Sequence, residues 1–172
     1  DLIYKARNGR IFSDIDERFA FFALSAIDTL TSLFWTPDVL ICNDWQTSFV
    51  PILLRERFKQ EEFYSNMKSV YIIHSVNDYR KYSKHTYDML GLTPSESGKL
   101  VDNHICAIEN ADLTIAMNYE SSNLMDNMKK QQQIFDVCES QKSVVRHIPK
   151  KYNREVWKET DSIGEAVCKK LK

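Results

Sequence analysis

A chain of 172 residues with 43% hydrophobic content is the size of one domain and carries enough apolar material for a real core, which excludes a disordered or fibrous protein. Twenty-three basic against 24 acidic side chains leave a net charge of -1, so no global electrostatic footprint points to nucleic acid or to an anionic membrane surface. Apolar runs fall far short of a bilayer span and no signal-peptide layout is read; the dispersed Cys42, Cys106, Cys138 and Cys168 are expected to be reduced thiols of a cytoplasmic protein, neither a disulfide framework nor a zinc knuckle.

In chain order, the acidic, cap-rich Ser13-Asp14-Ile15-Asp16-Glu17 opens a helix in which Phe19, Phe22, Ala23, Ala26, Ile27, Leu30 and Leu33 recur at three- and four-residue steps as one apolar face. Pro37 and Asp38 punctuate the start of a short buried strand over residues 39–42. A helix over 46–58 follows and tolerates Pro51 in its first turns, where the missing N–H has no intrahelical acceptor. The continuous run Val70-Tyr71-Ile72-Ile73 predicts a strand over 69–74, covered on both faces and ending at His74. Residues 78–87, polar, aromatic and basic, read as a mobile or surface-facing excursion. A helix over 98–110, a strand over 112–117, a helix over 119–130, a strand over 143–148 and a short helix over 162–171 complete the pattern, with the polar stretch 131–141 left unassigned. Strands alternating with helices predict an α/β fold: a Rossmann-like parallel sheet with flanking helices and right-handed crossovers.

Asn43, Asp44 and Trp45 therefore fall at the carboxyl end of a strand, where open α/β sheets place their ligands. Two readings stand for them: Asp44 caps the next helix while Trp45 fills the seam between sheet and helix, or both face a ligand. Asn43 either orients Asp44 or forms the local turn. His74 is either a satisfied core histidine or a strand-end group aimed at the same crevice. The run Arg80-Lys81-Tyr82-Ser83-Lys84-His85 reads as a solvated loop, as do Lys150, Lys151 and Arg154. His104 and Cys106 are too isolated for a metal site, and Asp102 reads as a helix cap or a solvated group. With no GxGxxG, P-loop or Gly-x-Ser-x-Gly motif, neither a dinucleotide cofactor nor a hydrolase mechanism is expected, and no cofactor or metal is assigned.

Three segments in order, Glu17-Arg18-Phe19-Ala20-Phe21-Phe22, the stretch from Pro37 through Asn43-Asp44-Trp45-Gln46-Thr47, and Val70-Tyr71-Ile72-Ile73-His74, resemble the N-terminal domain of the bacterial glycogen synthase and plant starch synthase family. Leu90-Gly91-Leu92, Gly98-Lys99, Ala111-Asp112, Glu155-Val156-Trp157 and Thr160-Asp161 extend the resemblance over roughly residues 10 to 162. It implies part of a two-domain GT-B glycosyltransferase that moves glucose from ADP-glucose to an α-1,4-glucan with retention. It also implies His74 facing the transferred glucose, Asp44 beside it, and Trp45 and Asn43 at the substrate. On the same basis residues 1–172 form a single partial Rossmann-like domain. The family's Lys-Thr-Gly-Gly donor loop, its first strands and its second domain are missing, so this chain alone is expected to be inactive and prone to self-association. A non-catalytic glucan-binding or partner-binding module on the same scaffold is the alternative. Ser75 in place of asparagine, Met117-Asn118-Tyr119 in place of Val-Ser-Pro, and Arg146-His147-Ile148-Pro149 in place of Asn-Gly-Ile-Asp depart from the family pattern.

Overall fold

The computed structural model describes residues 3–94, 98–148, 164–165 and 167–171. Helix α1 (Ile15–Ser32) leads into strand β1 (Val39–Asn43), the short helix α2 (Phe49–Ile52) and strand β2 (Lys68–Ile73). A small excursion follows, made of strand β3 (Lys81–Ser83), helix α3 (Lys84–Leu90) and strand β4 (Leu100–Asp102). Helix α4 (Asn103–Asn110), strand β5 (Leu113–Tyr119), helices α5 (Leu124–Lys130) and α6 (Gln132–Ser140), and strand β6 (Val144–Ile148) complete the order.

The sheet has the order β1-β2-β5-β6, and every pair in it is parallel. Alternation along the strands divides its faces. Tyr71, Ile73 and Ala116 point into the large core built with all six helices, whereas Val70, Leu113 and Ile115 form a smaller cluster with Ile72, Val144, Val167 and Leu171. Both faces of β2 are apolar, as strands of a parallel sheet require. The fold is thus the predicted α/β architecture. No helix among the described residues is long and apolar enough to cross a membrane.

Several local expectations are corrected. The single helix over 46–58 is a composite: a 3-10 turn over Trp45–Thr47, then α2, then a wide π turn over Leu53–Arg57 closed by Phe58 N–H donating to Leu53 O at 3.0 Å. Pro51 sits in the first turn of α2, where a missing N–H leaves no bond of that helix unmade. The helix expected from residue 98 begins only at Asn103. Leu100 and Val101 are drawn into β4 by antiparallel pairing with β3, and Asp102 then caps α4 by accepting from His104 N–H at 3.1 Å. The helix expected from Tyr119 begins at Leu124, because β5 continues to pair with β6 through Tyr119 opposite Ile148. The unassigned 131–141 stretch is mostly α6.

The 78–87 excursion is only partly surface-facing, and within the run 80–85 Lys81, Lys84 and His85 are exposed while Arg80 and Tyr82 are not. Arg80, Tyr82, Thr86 and Tyr87 are buried, and Phe49 stacks on Tyr82 with ring centroids 5.3 Å apart and meets Tyr87 edge-on at 5.1 Å. Polar groups enter the core here because each finds a partner: Tyr82 Oη donates to Trp45 O at 3.0 Å, and Asp16 Oδ2 on α1 accepts from Ser83 N–H at 2.9 Å and Thr86 Oγ1 at 2.8 Å. The α1 stripe is only partly covered. Ala23, Ile27 and Leu30 are buried, but Phe22 and Leu33, expected inside, are 52% and 62% exposed. Phe22 lies with Ile27, Leu30, Leu40 and Ile41 around an apolar groove of about 170 Å³ beside the open edge of β1. The chain turns of the helix over 162–171 are described only in part, and Lys150, Lys151, Arg154, Glu155-Val156-Trp157 and Thr160-Asp161 lie outside the described residues.

Ile73 is fully enclosed on the helix-covered face of β2. Ile73→Ala is expected to cost about 2–5 kcal/mol, read as a lowered denaturant midpoint. Ile41→Ala on the open edge, where the side chain is 60% exposed, is expected to change stability by no more than about 0.5 kcal/mol. Equal losses at the two positions would contradict this assignment of the core.

Candidate functional site

Three parallel strands deliver polar side chains to one place at their carboxyl ends. β1 ends at Asn43, β2 runs into His74 and Ser75, and β5 ends at Asn118 and Tyr119. Register sets their proximity, since Asn43 lies opposite Ile72 and Ile73 opposite Ala116. Asp44 leaves the sheet with φ 57° and ψ -173°, a conformation an L residue adopts only under constraint, while its N–H donates to Ile72 O at 2.7 Å. That kink aims its carboxylate at the turn after β2. There Oδ1 accepts from the N–H groups of His74 and Ser75, both at 3.4 Å, and Oδ2 accepts from Ser75 Oγ at 2.8 Å. Asn77 Nδ2 donates in turn to Ser75 Oγ at 2.9 Å.

His74 stands at the rim with both ring nitrogens engaged. Asn43 Oδ1 lies 3.1 Å from Nε2, Tyr119 Oη lies 3.1 Å from Nδ1, and the Tyr119 ring is layered with the imidazole at 5.8 Å and 20°. The sequence-predicted residues Asn43, Asp44 and His74 therefore converge. Trp45 lies directly behind them, 2% exposed, with Tyr4, Phe19 and Tyr79 meeting its ring at centroid distances of 5.6, 5.2 and 5.8 Å. The indole thus offers a pyranose no open face, and it supports the site as packing beneath Asp44. Trp45 fills the seam, as the packing alternative has it, while Asp44 makes no side-chain cap bond to the following turn and gives its carboxylate to the turn after β2 instead.

Sequence reasoning missed what lies below. His104, buried on α4, has Nε2 2.8 Å from Ser75 O and Nδ1 2.6 Å from Tyr71 Oη. A carbonyl only accepts, so Nε2 carries the proton and Nδ1 accepts from the phenol. Burial brings the His104 pKa down to about 3, and the nearby Arg80 charge acts in the same direction, so the ring is neutral. Its 3.7 Å approach to Asp44 Oδ1 is accordingly not an ion pair. Arg80 donates from Nε to Asp102 Oδ2 at 2.7 Å and from Nη1 to Asn77 O at 2.6 Å, and also bonds Gln131, which holds Val76 O through Nε2 at 3.0 Å. The 75–80 loop is clamped from both sides. Alternation along β2 was the one available signal, as it turns Tyr71 toward the helices; nothing in the spacing joined it to His104.

Burial pushes the Asp44 carboxyl pKa up, against the Ser75 hydroxyl and the two backbone N–H groups that hold it down. Burial likewise lowers the His74 pKa, with the Asp44 charge opposing. The arrangement presents a neutral imidazole, an amide and a phenol at its rim over a fixed carboxylate, groups suited to directional hydrogen bonds with hydroxyls.

A four-stranded parallel sheet with flanking helices is the architecture of a GT-B glycosyltransferase domain. The catalytic domain of starch synthase IV from Arabidopsis thaliana, bound to ADP and acarbose, has the same fold with a TM-score of 0.68 at 18% identity, over 86% of this chain and 32% of that one. The sequence profile of the starch synthase catalytic domain matches residues 1–137, and the chain belongs to that family. Glycogen synthase of Vibrio atlanticus is 43% identical over 70 residues, 41% of this chain and 14% of the relative; that of Desulforudis audaxviator is 38% identical over 90 residues, 52% and 18% respectively. The chain thus spans 14% to 18% of the length of these relatives.

The neutral histidines carry a pH signature. Unfolded, His104 takes up a proton near its ordinary 6.5; folded, only near about 3. Its contribution to stability is complete above about pH 6.5 and is lost as the pH falls toward about 3. His74, shifted the same way, adds to the loss, while Asp44, its pKa raised above 3.8, opposes it because the folded state then takes up that proton first. The thermal midpoint is expected to fall between about pH 7 and pH 4, with a shallower slope in His104→Phe. Identical slopes would mean that His104 is not the group held neutral.

Proposed function

We propose that this chain is part of a glycogen or starch synthase-type glycosyltransferase that transfers glucose from ADP-glucose to an α-1,4-glucan, and that it supplies one wall of the sugar-binding crevice. The observation that carries this reading is the convergence of Asn43, Asp44 and His74 at neighbouring strand ends in a chain of the starch synthase family. In it, His74 faces the transferred glucose, Asn43 adds a rim hydrogen bond, Asp44 orders both strand ends, and Trp45 supports Asp44 from behind. Coverage of only 14% to 18% of its glycogen synthase relatives supports treating residues 1–172 as one partial Rossmann-like domain that works with a second, donor-binding domain. Free thiols at all four cysteines support a cytoplasmic setting.

A second reading, a non-catalytic glucan-binding module on the same scaffold, draws support from His74, both of whose ring nitrogens already have protein partners. The two readings share the sugar and differ in chemistry.

Stabilising a phosphoryl leaving group requires positive charge at the donor, and the described crevice directs none there. The chain by itself is expected to show no ADP-glucose-dependent elongation of glycogen and to bind maltooligosaccharide with a Kd on the order of millimolar. His74→Ala is expected to weaken that binding by about threefold to tenfold. Glucosyl transfer by this chain alone would reject the division of labour; unchanged affinity in His74→Ala would remove the crevice from the binding site. Joining the chain to a donor-binding domain separates the readings, since recovered transfer supports the enzyme and its absence the module.

Self-association is the second expectation. Phe21, Phe22, Leu33, Phe34, Trp35 and Ile41 are all exposed, and β1 is an end strand of its sheet. Sedimentation is expected to show concentration-dependent association that Ile41→Lys suppresses; a monomer at every concentration would count against it.

A further inference from the structure

We propose that Tyr119 is a sugar-facing residue of this crevice: its hydroxyl holds His74 in the Nε2–H tautomer, and its ring supplies the aromatic surface for a pyranose that the enclosed Trp45 does not offer. The proposal rests on the glucan-binding reading above and deepens it.

The tautomer follows from the partners. Asn43 turns its amide oxygen to Nε2 at 3.1 Å, and an amide oxygen only accepts, so the ring proton sits on Nε2. Nδ1 then keeps its lone pair, and the Tyr119 phenol 3.1 Å away, able to donate or accept, donates. With the rings layered at 5.8 Å and 20°, the imidazole is fixed in both protonation and orientation from one side. This places Tyr119 as a positioning residue for His74.

Its location argues for contact with ligand as well. Among the described residues Tyr119 is half-buried and belongs to neither apolar cluster. It ends β5, a neighbour of β2, at the edge where Asn43 and His74 also end. Sugars are bound by ring faces that cover their C–H surface and by polar groups that meet their hydroxyls, and the Tyr119–His74 layer with Asn43 beside it provides both. This tyrosine stands where the pattern of the resembled family has proline, so the device belongs to this chain's own sequence.

Two variants separate the roles: Tyr119→Phe removes only the hydroxyl, and Tyr119→Ala removes the ring. Long-range 15N–1H correlation spectra of the histidine side chains and titration with maltoheptaose are measured on the 172-residue chain for both and for wild type. Wild-type His74 is expected as a single Nε2–H tautomer, shifting toward a mixture in Tyr119→Phe. Maltoheptaose affinity is expected to stay within about threefold of wild type in Tyr119→Phe and to fall about tenfold in Tyr119→Ala. A proton on Nδ1 in wild type, or an unchanged tautomer signal in Tyr119→Phe, overturns the positioning role. Equal affinity in wild type and Tyr119→Ala overturns the stacking role while the glucan-binding reading stands. Absence of binding by wild type removes that reading and the stacking role together, and the tautomer signal then decides the positioning role alone.

Discussion

The carboxylate of Asp44 ties the carboxyl ends of two adjacent parallel strands to each other, and the geometry of the crevice depends on that tie. It binds the backbone N–H groups of His74 and Ser75 and the Ser75 hydroxyl, so the turn after β2 has its direction set from β1. Reaching it requires a positive φ at a residue with a side chain, a strain of about 1–3 kcal/mol. The Ser75 hydroxyl at 2.8 Å and the two N–H groups at 3.4 Å act against that strain. Removing the carboxylate would leave the kink without its compensation and two buried-edge N–H groups without a partner.

Behind the tie, the structure places polar groups in the core and keeps them neutral where it can. Tyr71, His104 and the Ser75 carbonyl form a hydrogen-bonded line in which the imidazole carries no charge, since a second cation near Arg80 would meet both repulsion and desolvation. The buried charge pair of Arg80 with Asp102 is surrounded by further acceptors in Asn77 O and Gln131, which is the condition under which such a pair is tolerated. Trp45 and its ring of aromatics close the remaining volume. The result is a closely packed floor beneath Asn43, His74 and Tyr119.

The opposite flank is less finished. Among the described residues β1 is the end strand of its sheet, and aromatic and aliphatic side chains around the end of α1 face solvent next to it. The chain belongs to the starch synthase family over residues 1–137 and spans 14% to 18% of the length of the glycogen synthases of Vibrio atlanticus and Desulforudis audaxviator.

The residues themselves determined the parallel α/β class, the positions of β1, β2 and β5, and the meeting of Asn43, Asp44 and His74, because hydrophobic periodicity and strand-end position are local properties that a linear chain displays. Tertiary structure decided the rest. Pairing of β3 with β4 overrode the helical period at Leu100 and Val101, and pairing of β5 with β6 drew Tyr119 out of the helix its neighbours suggested. Burial of Arg80, Tyr82 and Tyr87 depended on partners from distant segments, Asp102, Trp45 and Asn103, so their polarity alone pointed the wrong way. Trp45 became packing once Tyr4, Phe19 and Tyr79 closed over it. Whether a polar or aromatic side chain is core or site turns on which groups from far along the chain satisfy it, and that information exists only once the chain has folded.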